Sequence, residues 1–547
     1  MMKLSGIGVS PGIALGPVRR VVRARLNDPI PASPRAVFKA LDVVASDLEQ
    51  RAESASLDVA RDVISAQAMI ARDPALIEAI GARLLDDLEY PDVRADIAAA
   101  FAGFKDALSS LGGYFAERVA DLDEIGNRLL SVLSGKEEQE LTLDTPSIVV
   151  AEDLTPADTA ALDLNFARAL VVAKGGPTSH TAIVARGLGI PAIVGCEGIM
   201  DLADGTTIMV DGREGTVIVD PSDGEIEARE TREDSLRARA AAVVGPGRLS
   251  DGTPITLLAN AGNAQDAIAA ATVGAEGIGL FRTELLFLDR RDEPTVDEQV
   301  ELYRSVFEAM AGRRVVLRTL DAGSDKPVPF INAIHEENPA LGVRGWRLTR
   351  TADGVLNRQL DAIALAAREV NADVWVMAPM IDIPSEAAEF AHRVRERGLR
   401  RVGVMVETPA AAILADKVLA EVDFASLGTN DLTQYVMAAD RLDSRLSDLT
   451  STWHPAVLRT IKMAADGALA LGRPIGVCGE AAANPQLAAI LVGLGVSSLS
   501  MAPSALAEVR GYLAQVDRAT CLRAAEQVLS VSSAEEAEGI AYDLLGS

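Results

Sequence analysis

The sequence predicts a multidomain α/β protein, with a C-terminal (β/α)8 barrel and an N-terminal α/β domain that carries an inserted all-helical domain. Eight strand-like apolar runs recur after residue 247, at 255–260, 276–281, 315–321, 374–380, 402–407, 424–429, 474–479 and 497–501, and helical stretches separate most of them. Runs apolar on both faces suit the parallel strands of a barrel, which are buried between lumen and helices. From 34 to 134 the chain is rich in Ala, Leu, Asp, Glu and Arg, with apolar residues three and four apart, as in amphipathic helices. On either side of that stretch lie short β-type runs punctuated by glycine, first within 1–22 and then at 147–150, 169–172, 192–195, 207–210 and 217–219. The helices therefore read as an insertion into a small α/β domain. A glycine-free, charged stretch over 225–242 reads as a linker helix, and Gly245-Pro246-Gly247 marks a boundary. The expected domains are 1–23 with 135–224, the helical 24–134, a linker 225–247 and the barrel 248–547.

Composition narrows the function. The 547 residues are 49% hydrophobic, which describes a globular chain with room for a large core. A formal net charge of -27 disfavours general binding to nucleic acid or to anionic membrane. An anionic substrate would need a local arginine cluster working against that field. The three cysteines, Cys196, Cys478 and Cys521, form no Cys-x-x-Cys pair, which argues for a reducing compartment and against a disulfide framework or zinc site. No secretory h-region and no membrane-length apolar run is present, so a cytoplasmic location is expected.

His180 stands in Gly175-Gly176-Pro177-Thr178-Ser179-His180-Thr181-Ala182-Ile183-Val184-Ala185. Two glycines, then hydroxyl residues, then apolar residues at helical spacing predict a turn feeding a helix that begins near Ser179. At a helix N-terminus the free N–H groups and the dipole favour an anion and disfavour imidazolium, so the ring stays neutral and nucleophilic. A phosphoryl carrier needs that combination. Taken alone, a histidine at a helix start is more often only that. His335 and His392 read as solvent-side residues, and His454 as part of a loop.

The barrel runs are followed by polar residues that only a closed barrel would bring together. Arg282, Arg318 and Arg344 offer the donor fork that grips phosphate and carboxylate, although any one of them could equally form an ordinary salt bridge. Glu407 and Asp431 end two consecutive runs and suit a Mg²⁺ site completed by an anionic ligand; the plainer reading is that they balance nearby arginines. Cys478 ends a buried run, where most cysteines are inert and a tuned one can donate a proton.

Together these motifs resemble enzyme I of the bacterial phosphoenolpyruvate-dependent sugar phosphotransferase system, through essentially the whole chain and most strongly at 171–196 and 260–480. The resemblance implies that His180 is phosphorylated by phosphoenolpyruvate. It further implies that Arg282, Arg318 and Arg344 hold that substrate with help from Asn430, Asp431 and Arg441, and that Glu407 and Asp431 bind Mg²⁺. Cys478 would then protonate the enolate to give pyruvate, and Thr159 would contact the histidine. It implies transfer onward to the carrier HPr and a homodimer formed through the barrel, whose apolar content, including Trp453 and the Met-bearing loops, permits such an interface. The helical insertion, with no ligand-type cluster of its own, is the expected HPr dock; Met69, Leu76 and Ile80 lie at helical spacing and offer a contact face, with core packing the commoner role for any one of them. One histidine serving two sites requires the α/β domain to swing, with 225–242 and the chain near 145 as hinges. Two positions depart from the family pattern: Pro177, where arginine is common, and Ser324, where glycine is common. Related dikinases and synthases carry an ATP-binding domain for which no segment is left over, and the start at Gly6 suggests the plain sugar-branch form. Two other readings remain: an enzyme that takes phosphate from a nucleotide bound on another chain, and a phosphoprotein whose barrel only senses phosphoenolpyruvate.

Overall fold

A computed structural model describes residues 2–21, 29–54, 58–84, 90–111, 119–135, 143, 145–154, 158–159, 162–163, 165–176, 180–229, 231–232, 243–287, 290, 292–323, 328, 330–331, 336–370, 372–441, 446 and 449–546. The chain divides into two compact units, Met1–Glu233 and Asp234–Ser547.

In the first unit the described strands are β1 (Met2–Ser5), β2 (Ile7–Ser10), β3 (Ile13–Val21), β4 (Ser147–Ala151), β5 (Ala167–Val172), β6 (Ala192–Val194), β7 (Thr207–Asp211) and β8 (Thr216–Val219). They form one mixed sheet in the order β1-β8-β7-β3-β4-β5-β6-β2. β3 joins its two halves: Ile13–Pro17 pair antiparallel with β7, and Val18–Val21 pair parallel with β4. Its central strands are buried on both faces, which is why they read as unbroken apolar runs. Ile148 and Val150 pack with Val171, Ile193 and Val210, while Val149 and Ala151 pack with Val172, Ala182 and Ala185. Those two alanines belong to the helix His180–Leu188 and are fully buried, so the helix lies close against the sheet.

The stretch between β3 and β4 forms the expected helices, Pro34–Ser54, Asp58–Ala71, Pro74–Gly81, Arg94–Leu111 and Val119–Ser134 among the described residues. They close around a core of their own that includes Val37, Leu41, Leu48, Ile64, Ile97, Leu122 and Leu129. The Asp73-Pro74 break is a helix start: the Asp73 carboxylate accepts the Ala75 N–H at 2.8 Å and Pro74 fills the first helical position. This decides between contact face and core packing for the apolar residues around it. Leu76 and Ile80 point into the core at 0% and 1% exposure, whereas Met69 is 75% exposed. Helical spacing alone does not say which side of a three-residue-spaced stripe faces inward.

Residues 223–229 and 231–232 are helical, which covers the described part of the expected linker. Arg229 pairs with Asp211 and, at 3.1 Å, with Glu214, and Arg232 pairs with Glu214, so this helix is tied to the end of β7. Residues 233–242 lie outside the described residues.

The second unit is the expected barrel. Its strands are β9 (Thr256–Ala261), β10 (Gly277–Arg282), β11 (Arg314–Arg318), β12 (Asp373–Ala378), β13 (Arg401–Val406), β14 (Phe424–Leu427), β15 (Ile475–Val477) and β16 (Ser498–Met501). Each pairs with the next in parallel, and β16 returns to β9 to close the ring. Side chains alternate between two cores. On β12, Val374, Val376 and Ala378 pack in the helix-side core, while Trp375 and Met377 cluster with Val316, Met405, Phe424 and Cys478 in the lumen. The helices start on clear signals: Asn263 accepts the Asp266 N–H at 2.9 Å, and Thr295 and Glu298 form a reciprocal capping box. Four expected runs extended to Asp321, Met380, Thr429 and Gly479, but the strands end at Arg318, Ala378, Leu427 and Val477. The chain turns there into the loops that build the site. Trp453 is 7% exposed in the helix-side core, which removes it from any interface. No helix among the described residues is long and apolar enough to cross a membrane.

Candidate active site at the strand ends

Barrel closure gathers the polar residues that the sequence scatters over about 200 positions, from Arg282 to Cys478. Arg318, the last residue of β11, is 7% exposed. Its Nη2 donates to Glu284 Oε1 at 2.9 Å, and its Nη1 lies 3.3 Å from Asp321 Oδ2 and 4.0 Å from Glu407 Oε1. Burial disfavours charge on Arg318, but Glu284, Asp321 and Glu407 outweigh that and hold the guanidinium charged. Arg344 is fully buried. Its Nε and Nη2 donate to both Asp321 oxygens at 3.1 and 3.0 Å, and Nη2 also donates to Asp431 Oδ2 at 3.2 Å. Close approach of two segments of the chain accompanies this: Gly323 and Arg344 form an antiparallel bridge, and a Cβ on Gly323 would sit 2.6 Å from Arg344 Cβ.

Glu407 follows β13 and is 1% exposed. Its Oε2 accepts the N–H of Met380, whose left-handed backbone (φ 55°) aims that group into the site. Gly428 flanks it, and a Cβ there would approach Glu407 Cγ to 2.7 Å. Burial, then repulsion from Asp431 and Asp321, pushes the Glu407 carboxyl up to about 7, against the pull of Arg318 and Arg344. Asp431 opens the helix Thr429–Met437, is 6% exposed, and has Arg441 Nη1 3.9 Å away. Arg441 is oriented by its own N–H, which donates to Gln434 Oε1 at 3.2 Å.

Cys478 sits under this cluster at 2% exposure, its Sγ 3.6 Å from the Leu427 carbonyl. Burial pushes its thiol up to about 11, so it is protonated at neutral pH. Glu407, Arg318 and Arg282 are close enough to influence it. Arg282 ends β10 directly beside Arg318 in register, with its side chain exposed. Asn430 is half-buried in the first turn of its helix, next to Asp431.

Polar atoms without hydrogen bonds concentrate here. Arg318 Nε, Glu284 Oε2, Glu407 Oε1 and Thr429 Oγ1 are all buried and have no hydrogen-bond partner, while Asp431 Oδ1 is paired with Arg344 Nη1 at 3.1 Å. Buried polar groups are ordinarily satisfied, so such a cluster marks a place made for a polar ligand. The two acids also suit a hard cation: Glu407 Oε1 accepts no hydrogen bond, Asp431 Oδ1 meets only the Arg344 and Arg441 guanidinium groups at 3.1 and 3.9 Å, and like charge already raises Glu407. Among the described residues no group of three or more His, Cys, Asp or Glu could hold an ion, so further oxygens would come from a bound substrate or water.

His180 and Thr159 belong to the first unit. His180 is the first residue of its helix, one position after the expected start, and Gly175 at φ 93° makes the turn before it. The His180 side chain lies outside the described residues, as do Pro177–Ser179, Ser324 and His335. Thr159 is buried at 3% exposure. His392 is exposed beside Glu396 at 3.1 Å, and His454 caps the helix Pro455–Ala470 by accepting the Ala456 N–H at 3.2 Å.

The chain matches three family models: PEP-utilising enzyme, N-terminal, over 5–118; PEP-utilising enzyme, mobile domain, over 143–215; and PEP-utilising enzyme, PEP-binding domain, over 237–518. The phosphoenolpyruvate-protein phosphotransferase of Streptomyces coelicolor is 45% identical over 554 residues, covering 99% of this chain and 99% of that one. The chain belongs to the enzyme I family. Proteins of the same description from Haloferax volcanii (39% identical, 99% of both chains) and Latilactobacillus sakei (35%, 98% of both) are also similar over full length. As an enzyme I, the chain is a phosphoenolpyruvate-protein phosphotransferase. The strand-end cluster falls within the PEP-binding match, and His180 within the mobile-domain match.

Sequence reasoning passed over Glu284 and Met380 and, although Asp321 stands out beside Arg318 at a strand end, gave Asp321 no role. Glu284 and Asp321 orient both central arginines, and Met380 supplies a backbone donor to Glu407. Glu284 was readable, since it follows Arg282-Thr283 directly after a strand. The Met380 conformation left no sequence signal, because left-handed backbone at a non-glycine is set by tertiary contacts.

Proposed function

We propose that this enzyme transfers the phosphoryl group of phosphoenolpyruvate to His180 and from there to a histidine of HPr, releasing pyruvate, as the first step of a sugar phosphorelay in the cytoplasm. The observation that carries the barrel half of this reading is the set of buried polar atoms without hydrogen bonds on Arg318, Glu284, Glu407 and Thr429, beside the Arg344–Asp431 pair. Arg318 and Arg344, assisted by Arg282, Asn430 and Arg441, grip the substrate's phosphate and carboxylate. Their charge is already held by Glu284, Asp321 and Asp431, so little reorganisation is needed as the P–O bond breaks. Glu407 and Asp431 would hold Mg²⁺, which when bound supplies positive charge to the developing enolate and phosphoryl oxygens. Cys478, kept as a thiol by burial, delivers its proton to the enolate carbon.

His180, at a helix N-terminus, accepts the phosphoryl group as a neutral imidazole. Since one histidine must meet both barrel and carrier, the α/β domain bearing it swings between them, with 225–242 and the chain near 145 as hinges. The helical insertion docks HPr, now with Met69 rather than Leu76 or Ile80 at the contact face, and the enzyme works as a homodimer through its barrel. The direct test is incubation with labelled phosphoenolpyruvate and Mg²⁺ in the absence of nucleotide. Label should pass through the enzyme to added HPr with release of pyruvate, and a requirement for ATP would overturn the assignment.

Glu407 gives a pH signature. A carboxyl raised to about 7 must lose its proton before it can ligate a cation. Below that pH, proton and Mg²⁺ compete, so apparent Mg²⁺ affinity should rise about tenfold per pH unit and level off above pH 7. Calorimetry in buffers of differing ionisation enthalpy should show close to one proton released per Mg²⁺ at pH 6. A flat affinity between pH 6 and 8 would show that no carboxyl raised to about 7 ligates the ion, and unchanged Mg²⁺ affinity in Glu407→Gln would remove Glu407 from the ligand set.

A further inference from the structure

Behind the arginine cluster, on its helix side, lies a second layer of polar groups that belongs to none of the roles above. Gln359, in the helix Thr349–Glu369, is fully buried, as are Thr283, Tyr303 and Gln299. Gln359 Nε2 donates to Thr283 Oγ1 at 3.1 Å and to Tyr303 OH at 3.2 Å, and its Oε1 accepts the Leu320 N–H at 2.9 Å. Thr283 Oγ1 in turn donates to the Arg318 carbonyl at 3.0 Å. Tyr303 donates to Gln299 Oε1 at 3.2 Å, and Gln299 Nε2 ends the chain on the Pro294 carbonyl at 3.1 Å.

Each hydroxyl here gives one proton and receives one, and both amide protons of Gln359 are used. The direction of the whole chain is therefore set. Reversing the Gln359 amide would face its N–H against the Leu320 N–H and its oxygen against two hydroxyls already committed as donors. Buried networks of this kind, fully satisfied, rigidify what they touch.

What they touch is the active loop. The Thr283 hydroxyl holds the carbonyl of Arg318 and the Gln359 amide holds the N–H of Leu320, so the backbone is pinned on both sides of Thr319. Arg318 enters the site immediately before that segment. Asp321, which makes two hydrogen bonds to Arg344, enters immediately after it. One carboxamide thus sits behind both central arginines.

We propose that Gln359 is a positioning residue for phosphoenolpyruvate, fixing through Thr283 and Leu320 the backbone that presents Arg318 and Asp321. The proposal rests on the reading of the strand-end cluster as the phosphoenolpyruvate site. A purely structural glutamine would change the melting temperature without changing the kinetics of the folded enzyme. A positioning one changes the KM for phosphoenolpyruvate, because ground-state grip depends on where the two guanidinium groups point.

The test compares full-length Gln359→Met and Gln359→Glu with wild type by initial rates with HPr as acceptor, well below each melting temperature. Gln359→Met should raise KM about tenfold with kcat within about threefold, independent of pH. Gln359→Glu should raise KM at pH 8 and recover toward wild type as pH falls, since only the protonated acid regains a donor for Thr283. If Gln359→Met does not fold, Thr283→Val against Thr283→Ser carries the test, with KM raised in the first and near wild type in the second. A lowered melting temperature with unchanged KM would overturn the proposal. Arg318→Ala run alongside separates the two readings: a raised KM there with none in the Gln359 variants sinks only the positioning role, and no effect in either sinks the site itself.

Discussion

Arg318→Ala should weaken phosphoenolpyruvate binding by about 30- to 1000-fold, the equivalent of roughly 2–4 kcal/mol for a substrate anion left without its charged donor in a closed site. Two effects add. The substrate loses a guanidinium that burial has stripped of water, and Glu284 and Asp321 lose the cation that neutralises them at 2.9 and 3.3 Å. Their uncompensated charge then repels the incoming phosphate. Arg318→Lys separates the terms: it keeps the charge but not the fork, so its loss should be intermediate. Isothermal calorimetry with phosphoenolpyruvate and Mg²⁺ measures both. Affinity within threefold of wild type for Arg318→Ala would show that the substrate lies elsewhere on the barrel.

Cys478→Ala should do the opposite, leaving affinity nearly intact and cutting pyruvate formation about 10²- to 10⁴-fold, the usual contribution of a placed proton donor. The thiol is buried at 2% exposure below the arginine cluster, and burial keeps it protonated up to about pH 11. The donor form is thus fully present at neutral pH and is lost only as pH rises through that value. Rapid-quench measurement of pyruvate alongside calorimetry resolves the split. Equal loss of binding and turnover would make Cys478 a packing residue of the lumen.

Much of this was legible in the sequence because parallel strands buried on both faces must be continuously apolar, and the described strands β9–β16 all fall on such runs. The polar residues just past them were legible for the same reason, since a charge directly after a buried strand has to emerge at the barrel mouth. What was not legible depends on contacts between distant segments. Leu76 and Ile80 have the spacing of an exposed stripe, and only the packing of the surrounding helices shows that they face inward. Trp453 is likewise interior by tertiary contact. The Gln359 network joins positions 283, 299, 303, 320 and 359, and no local pattern distinguishes a buried glutamine from a solvated one.

The central claim is that phosphoenolpyruvate phosphorylates this enzyme on the histidine that opens the helix His180–Leu188. The measurement is labelling of wild type and His180→Ala with [³²P]phosphoenolpyruvate and Mg²⁺, followed by acid and base treatment of the protein. The account predicts one acid-labile, base-stable label per chain in wild type and none in His180→Ala, whose affinity for phosphoenolpyruvate stays close to wild type. Undiminished labelling of His180→Ala would contradict it and place the acceptor on another residue.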